Sequence, residues 1–213
     1  MAEQYLSAFA VDGGALLAVA GCGDEGLVRR ALARIGTPGR REGPLRGGDA
    51  AAVESALREL VAGRADALRP RRYTRLLELL APLAGEELGA AVLPGRGWDG
   101  LDGPLRAWGL PALAGPWRRG WPFPWPAAAR PPWPRPFPVL VEHGELARVG
   151  EELLLFDGDR AQAGPGARRP GPDGWDEDGL EEALRLLEDL LPPWVDGALA
   201  RGGDLLLLGG GGA

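Results

Sequence analysis

Side chains alternate in direction from Gln4 to Val11: Tyr5, Ser7, Phe9 and Val11 point one way, Leu6, Ala8 and Ala10 the other. A period of two predicts a β-strand, and this pattern predicts that both of its faces are at least partly covered. The pattern then turns helical. Asp12 is placed to cap a short helix holding Leu16, Leu17 and Val19, which Gly21-Cys22-Gly23 breaks. Asp24 is placed to cap a second helix with Leu27, Val28, Ala31, Leu32 and Ile35 on one stripe. Ala50 to Ala62 carries Val53, Leu57, Leu60 and Val61 on one face and stops at Gly63. Pro70 suits the first turn of a helix with Tyr73, Leu76, Leu77 and Leu80 buried, which Pro82 bends or ends. A short helix from Asp99 to Trp108 groups Leu101, Leu105 and Trp108, and Gly109 and Pro111 close it.

The later half repeats these signals. Val139 to Val141 predicts a short strand, and Leu146, Val149 and Leu153 the helix after it. Residues 157–175 read as a Gly/Pro-rich loop. Asp176 then suits a helix cap, and Leu180, Leu184, Leu187, Leu190 and Leu191 form a stripe that Pro192-Pro193 breaks. A further turn or two from Trp194 ends at Gly202-Gly203. Asp204 to Leu208 predicts a fully buried last strand, and residues 209–213 a disordered Gly tail. The sum is a single α+β domain over 1–208, with a small sheet joining the first strand to the last and about six helices packed on it.

The tract 116–138 fits neither period. It holds nine Pro, six aromatic residues and four Arg in 23 residues. Proline imposes an extended backbone without internal hydrogen bonds, so the tract reads as an arm laid over the helices and riveted by its rings. Its exposed rings are the candidate binding residues: Trp117, Trp121, Trp125 and Trp133, with Arg130. Three sharper uses compete: a peptide ligand for a proline-recognition module, with Pro131 and Pro134 as one P-x-x-P; a membrane-active segment; and a stacking platform for single-stranded nucleic acid. A protein partner is the expectation, because the acidic remainder of the chain opposes both membranes and nucleic acid.

Composition narrows the chemistry. The chain has 213 residues, 24 basic and 30 acidic, for a net charge of −6. Every basic residue is Arg, which removes Schiff-base chemistry and a phosphate-loop lysine. There is one His and one Cys, too few for a structural zinc site or an internal disulfide. The 8 Trp call for a folded core despite 35 Gly and 21 Pro. No apolar run reaches the ~18 residues of a membrane span.

Several motifs fade on inspection. Gly21, Gly23 and Gly26 spell the dinucleotide fingerprint, but this glycine content yields about one such match by chance. Asp24 and Glu25 would also occupy the place of the pyrophosphate. Val19-Ala20-Gly21-Cys22 has the form of a lipobox, which offers an alternative to a cytoplasmic protein: a lipoprotein anchored at Cys22. The acidic flanks and the lack of a basic leader favour a plain buried thiol instead. Asp157-Gly158-Asp159 opens like a calcium loop that Ala161, Gln162 and Arg168 then break. No cofactor and no metal is expected. The one candidate general base is His143, between Glu142 and Glu145, with no Ser, Thr or Cys near it in sequence.

Together, the stretches YLSAFAVD at 5–12, GDEGL at 23–27, YTRLLELL at 73–80, PRPFP at 134–138 and ARGGDLLLL at 200–208 resemble a family of small, uncharacterised actinobacterial proteins, a domain of unknown function. The resemblance implies no activity and assigns no site residue. The functional expectation is therefore a non-enzymatic, cytoplasmic partner-binding or immunity-type protein. Its rival is a small hydrolase using His143 with Asp or Glu.

Overall fold

The structure is a computed structural model that describes residues 3–35, 47–66, 73, 75–94, 101–119, 137–164 and 177–211. Expectations on Pro70, on 120–136 with Trp121, Trp125, Arg130 and Trp133, on 165–176 and on 212–213 lie outside these residues.

The strand predicted at the amino terminus is β1 (Glu3–Val11). Its two-sided pattern places it inside the sheet. It pairs antiparallel with β2 (Gly85–Pro94) on one side and with β4 (Asp204–Gly211) on the other. The edge strand β3 (Phe137–Val141) joins β4, giving the order β2-β1-β4-β3. The fold is thus α+β, with the amino- and carboxyl-terminal strands paired at the centre of a four-stranded antiparallel sheet.

Both sheet faces are covered. Phe9, Val11, Leu140, Leu206 and Leu208 pack against α1 (Gly13–Leu17), α2 (Glu25–Leu32), α3 (Gly47–Val61) and α4 (Leu76–Ala84). Leu6, Ala8, Ala10, Val139, Val141, Leu205 and Leu207 face the opposite layer. That layer holds α5 (Asp102–Ala107), α6 (Pro111–Arg119), α7 (His143–Leu154), α9 (Glu177–Arg185) and α10 (Leu191–Ala200). The chain therefore covers one face with its first helices and the other with its later ones. β4 is apolar on both sides because it lies between two helical layers.

No pattern in the sequence marks strand β2: it carries no clear alternation, Gly, Ala and Glu are poor strand formers, and pairing with β1 makes the strand. Several expectations need correction. The glycine tail is not free from its first residue: Gly209, Gly210 and Gly211 continue β4 opposite Leu6, Tyr5 and Gln4. The Pro/Trp tract does not begin extended at Pro116, since α6 runs through Pro116 to Arg119 and buries Leu113, Ala114 and Trp117 on one face. Its last residues, Phe137 and Pro138, belong to β3, where an edge position tolerates proline. The supposed loop from Asp157 opens with α8 (Gly158–Ala163), capped by the Asp157 carboxylate accepting from the Arg160 N–H at 3.0 Å.

Pro192-Pro193 do not break their helix. A π-helical turn over Leu186–Leu190 precedes them, with the Leu191 N–H bonded to the Leu186 carbonyl. The two prolines then fall in the first turn of α10, the helical position that proline tolerates best.

Candidate functional site

One end of the sheet gathers the polar residues that the fold brings together from distant sequence. There β1 runs into α1, α4 runs into β2, and α10 turns into β4. The turn after α10 is a Schellman closure: the Gly203 N–H bonds the Ala198 carbonyl at 3.1 Å and the Gly202 N–H bonds Leu199 at 3.0 Å. Gly202 takes φ +65°, the left-handed conformation this closure requires. These junctions surround a cleft of about 580 Å³ lined by Asp12, Glu86, Arg201, Asp204 and the backbone between them.

Each charged group in the cleft has a structural partner. Asp12 caps α1, accepting from the Ala15 N–H at 2.8 Å. Asp204 bridges two helix starts: Oδ2 accepts from the Gly13 N–H at 2.9 Å and Oδ1 from the His143 N–H at 2.7 Å. Arg201 donates two bonds of 2.8 Å to the Glu86 carboxylate and a third, 3.0 Å long, to the Gly197 carbonyl. Those bonds and the guanidinium charge hold the Glu86 carboxyl below the ordinary carboxylate range. The same pairing raises Arg201 further above its own. In the sequence, Asp204 reads only as the start of a strand. Its partners lie 191 and 61 residues away, so no local pattern marks it.

His143 stands beside this cleft, exposed, as the first residue of α7. Its Nδ1 lies 3.2 Å from the Gly203 carbonyl. A carbonyl only accepts, so Nδ1 is the protonated nitrogen in this contact. Glu142 occupies the capping position without a side-chain cap bond and is exposed. Glu145 is held by Arg119 at 2.7 Å, which ties α7 to the end of α6. The two carboxylates flanking His143 in sequence are thus not gathered around its ring. Ser7 pairs with Leu208, four positions along β1 from the Val11–Asp204 pair, about 13 Å at the rise of a strand.

Cys22 is exposed rather than buried, because it sits in the turn that Gly21 and Gly23 bond to the end of α3. Its Sγ accepts from the Asp24 N–H at 3.5 Å. Among the described residues no group of three His, Cys, Asp or Glu is placed to hold a metal ion. No helix among them is long and apolar enough to cross a membrane.

Of the aromatic candidates, Trp117 is described, and it is a core residue at 1% exposure. The conspicuous apolar surface lies elsewhere. Leu154 and Leu155, at the carboxyl end of α7, are 85% and 86% exposed. Phe156, next in the chain, is partly buried and packs on Trp108, ring centres 6.2 Å apart. The α7 stripe ends at Leu153, so the periodicity does not mark the two leucines after it.

No curated protein and no solved structure matches the chain. A family model, described as Domain of unknown function (DUF7691), matches residues 2–207, from β1 almost to the end of the β4 leucine run. The match spans both helical layers and the whole sheet-end cleft, and the chain belongs to this family.

Proposed function

We propose that the chain is a partner-binding or immunity-type protein of the cytoplasm, with the step Leu154-Leu155 in the surface it uses. The observation that carries this reading is the exposure of those two leucines side by side on a well-packed helix end. Single exposed leucines are ordinary, but an adjacent pair at this exposure leaves apolar area in water that a partner would cover. A cytoplasmic chain is supported by the position of Cys22. Lipobox processing would remove β1, which pairs with both β2 and β4, together with α1.

The test is the pair of charge substitutions Leu154→Glu and Leu155→Glu in one chain. The variant should keep its melting temperature and lose the partner that the unaltered protein retains from its host, and purified partner should show the same loss. Equal retention by the variant defeats the reading. A second reading, a small hydrolase using His143 with Asp or Glu, has one observation behind it: the imidazole stands beside the sheet-end cleft. Loss of a hydrolytic activity in His143→Ala at unchanged circular dichroism would favour it.

A further inference from the structure

Leu154 and Leu155 do not stand in neutral surroundings. Glu151 precedes them by three and four residues, so it shares their side of the end of α7. Asp157 follows Leu155 by two residues, and Asp159 lies in the first turn of α8. Tertiary structure adds charge from a second segment. The Gly158 N–H donates to the Glu188 Oε1 at 3.1 Å, which brings the π turn, with Asp189 beside Glu188, to the same end of the molecule. Glu151, Asp157, Asp159, Glu188 and Asp189 are all exposed.

Positive charge is scarce there. Arg160 is the one basic residue between 149 and 163. Arg148 and Arg185, the next arginines along the two segments, reach acidic residues of their own helices, Glu152 and Glu182, each at 3.6 Å. The carboxyl end of α7 also places the negative end of a 12-residue helix at the leucines. At the start of α8, carboxylates already take the Arg160 and Gly158 N–H groups. An apolar step rimmed by like charge has the anatomy of an interface core with a polar rim.

We infer that the partner at Leu154-Leu155 is a basic amphipathic helix of another protein, its apolar face flanked by Lys or Arg. This rests on the proposed reading that the two leucines bind a partner, and it names that partner's chemistry. The leucines take its apolar side chains, and Glu151, Asp157 and Asp159 stand opposite its cations. Rim charges of this kind speed association and select among apolar partners more than they add affinity. They also oppose the alternatives. Nucleic acid and anionic lipid present phosphate, which this rim repels. A second copy docked on the same surface about a two-fold axis would set carboxylate against carboxylate.

Two synthetic amphipathic helices test this, identical on a leucine face and carrying either Lys or Glu on the other. In fluorescence anisotropy titrations the Lys helix should bind saturably, the Glu helix about tenfold more weakly or worse, and added salt should weaken the Lys helix. Glu151→Arg with Asp159→Arg should weaken the Lys helix about tenfold or more at unchanged melting temperature. Glu151→Gln with Asp159→Asn, which introduces no new charge, should act in the same direction by less. Leu154→Ala with Leu155→Ala should weaken it through lost apolar contact. The partner retained from the host is measured against the same variants. Loss of that partner by Leu154→Glu with Leu155→Glu, but equal binding by both charge variants, overturns this inference and leaves the proposed reading standing; retention by the leucine variant overturns both. Equal binding of the two helices, binding of neither, or a preference for phosphatidylglycerol vesicles or single-stranded DNA over the Lys helix also overturns the inference.

Discussion

Asp204 and His143 are joined through the main chain: the Asp204 Oδ1 accepts the His143 N–H at 2.7 Å, and the imidazole takes no part in that bond. His143→Ala should therefore keep it, losing only the exposed Nδ1 contact with the Gly203 carbonyl, and cost about 0.5–1 kcal/mol. His143→Pro removes the imidazole and the N–H, so its difference from His143→Ala isolates the main-chain bond. Glu142, at ψ 146°, already has the backbone a following proline needs. Loss of a bond to a charged acceptor should cost about 1.5–3 kcal/mol. Asp204→Ala, which also releases Gly13, should cost more than His143→Pro. Urea unfolding of the three variants checks the order.

Glu86 and Arg201 give the fold a pH dependence of known sign. Arg201 lowers the Glu86 pKa below its ordinary value of 4.5 in the folded state. The folded chain thus releases this proton more readily than the unfolded one. The contribution is complete above pH 4.5 and fades as pH falls through the folded-state value. Glu86→Gln should lower the melting temperature modestly at neutral pH, leave it unchanged at the acid end, and so flatten the acid limb. Both side chains are exposed, so added salt should shrink the difference.

Gly85 is required by close approach. A Cβ there would run into the Ala10 carbonyl oxygen and come within 2.7 Å of the Val11 Cα. Backbone inside a paired sheet cannot yield, so Gly85→Ala should destabilise by about 1–3 kcal/mol. Gly150, inside α7, would meet only the Val195 Cγ1 at 3.5 Å, an ordinary contact, and Gly150→Ala should stabilise by about 0.5–1 kcal/mol through helix propensity. Thermal unfolding of the two variants should shift in opposite directions.

Trp117 and Leu154 separate core from surface. Trp117→Ala should cost about 3–5 kcal/mol, since the ring is enclosed with Leu113 and Ala114. Leu154→Ala should change stability by about 0.5 kcal/mol or less. Chemical denaturation measures both. A Trp117 variant that folds normally but fails to bind would return that ring to the role its sequence context suggests.

Where one element's own residues carry the signal, the sequence was sufficient. The alternation of β1, the apolar run of β4, and the caps at Asp12 and Asp24 all appear where the local pattern puts them, because strand faces and helix starts are decided by neighbours a few residues apart. Tertiary structure decided the rest. β2 is a strand because β1 supplies its hydrogen bonds, not because Gly, Glu and Ala prefer one. Pro192-Pro193 are accepted because a π turn and the buried Leu191 and Trp194 hold the helix together around them. Trp117 belongs to the core because α6 turns it inward. Asp204, Glu86, Arg201 and His143 meet only after the sheet has ordered β4 beside β1, since contacts across such separations exist only once burial of the two apolar layers has repaid the entropy of closing the chain.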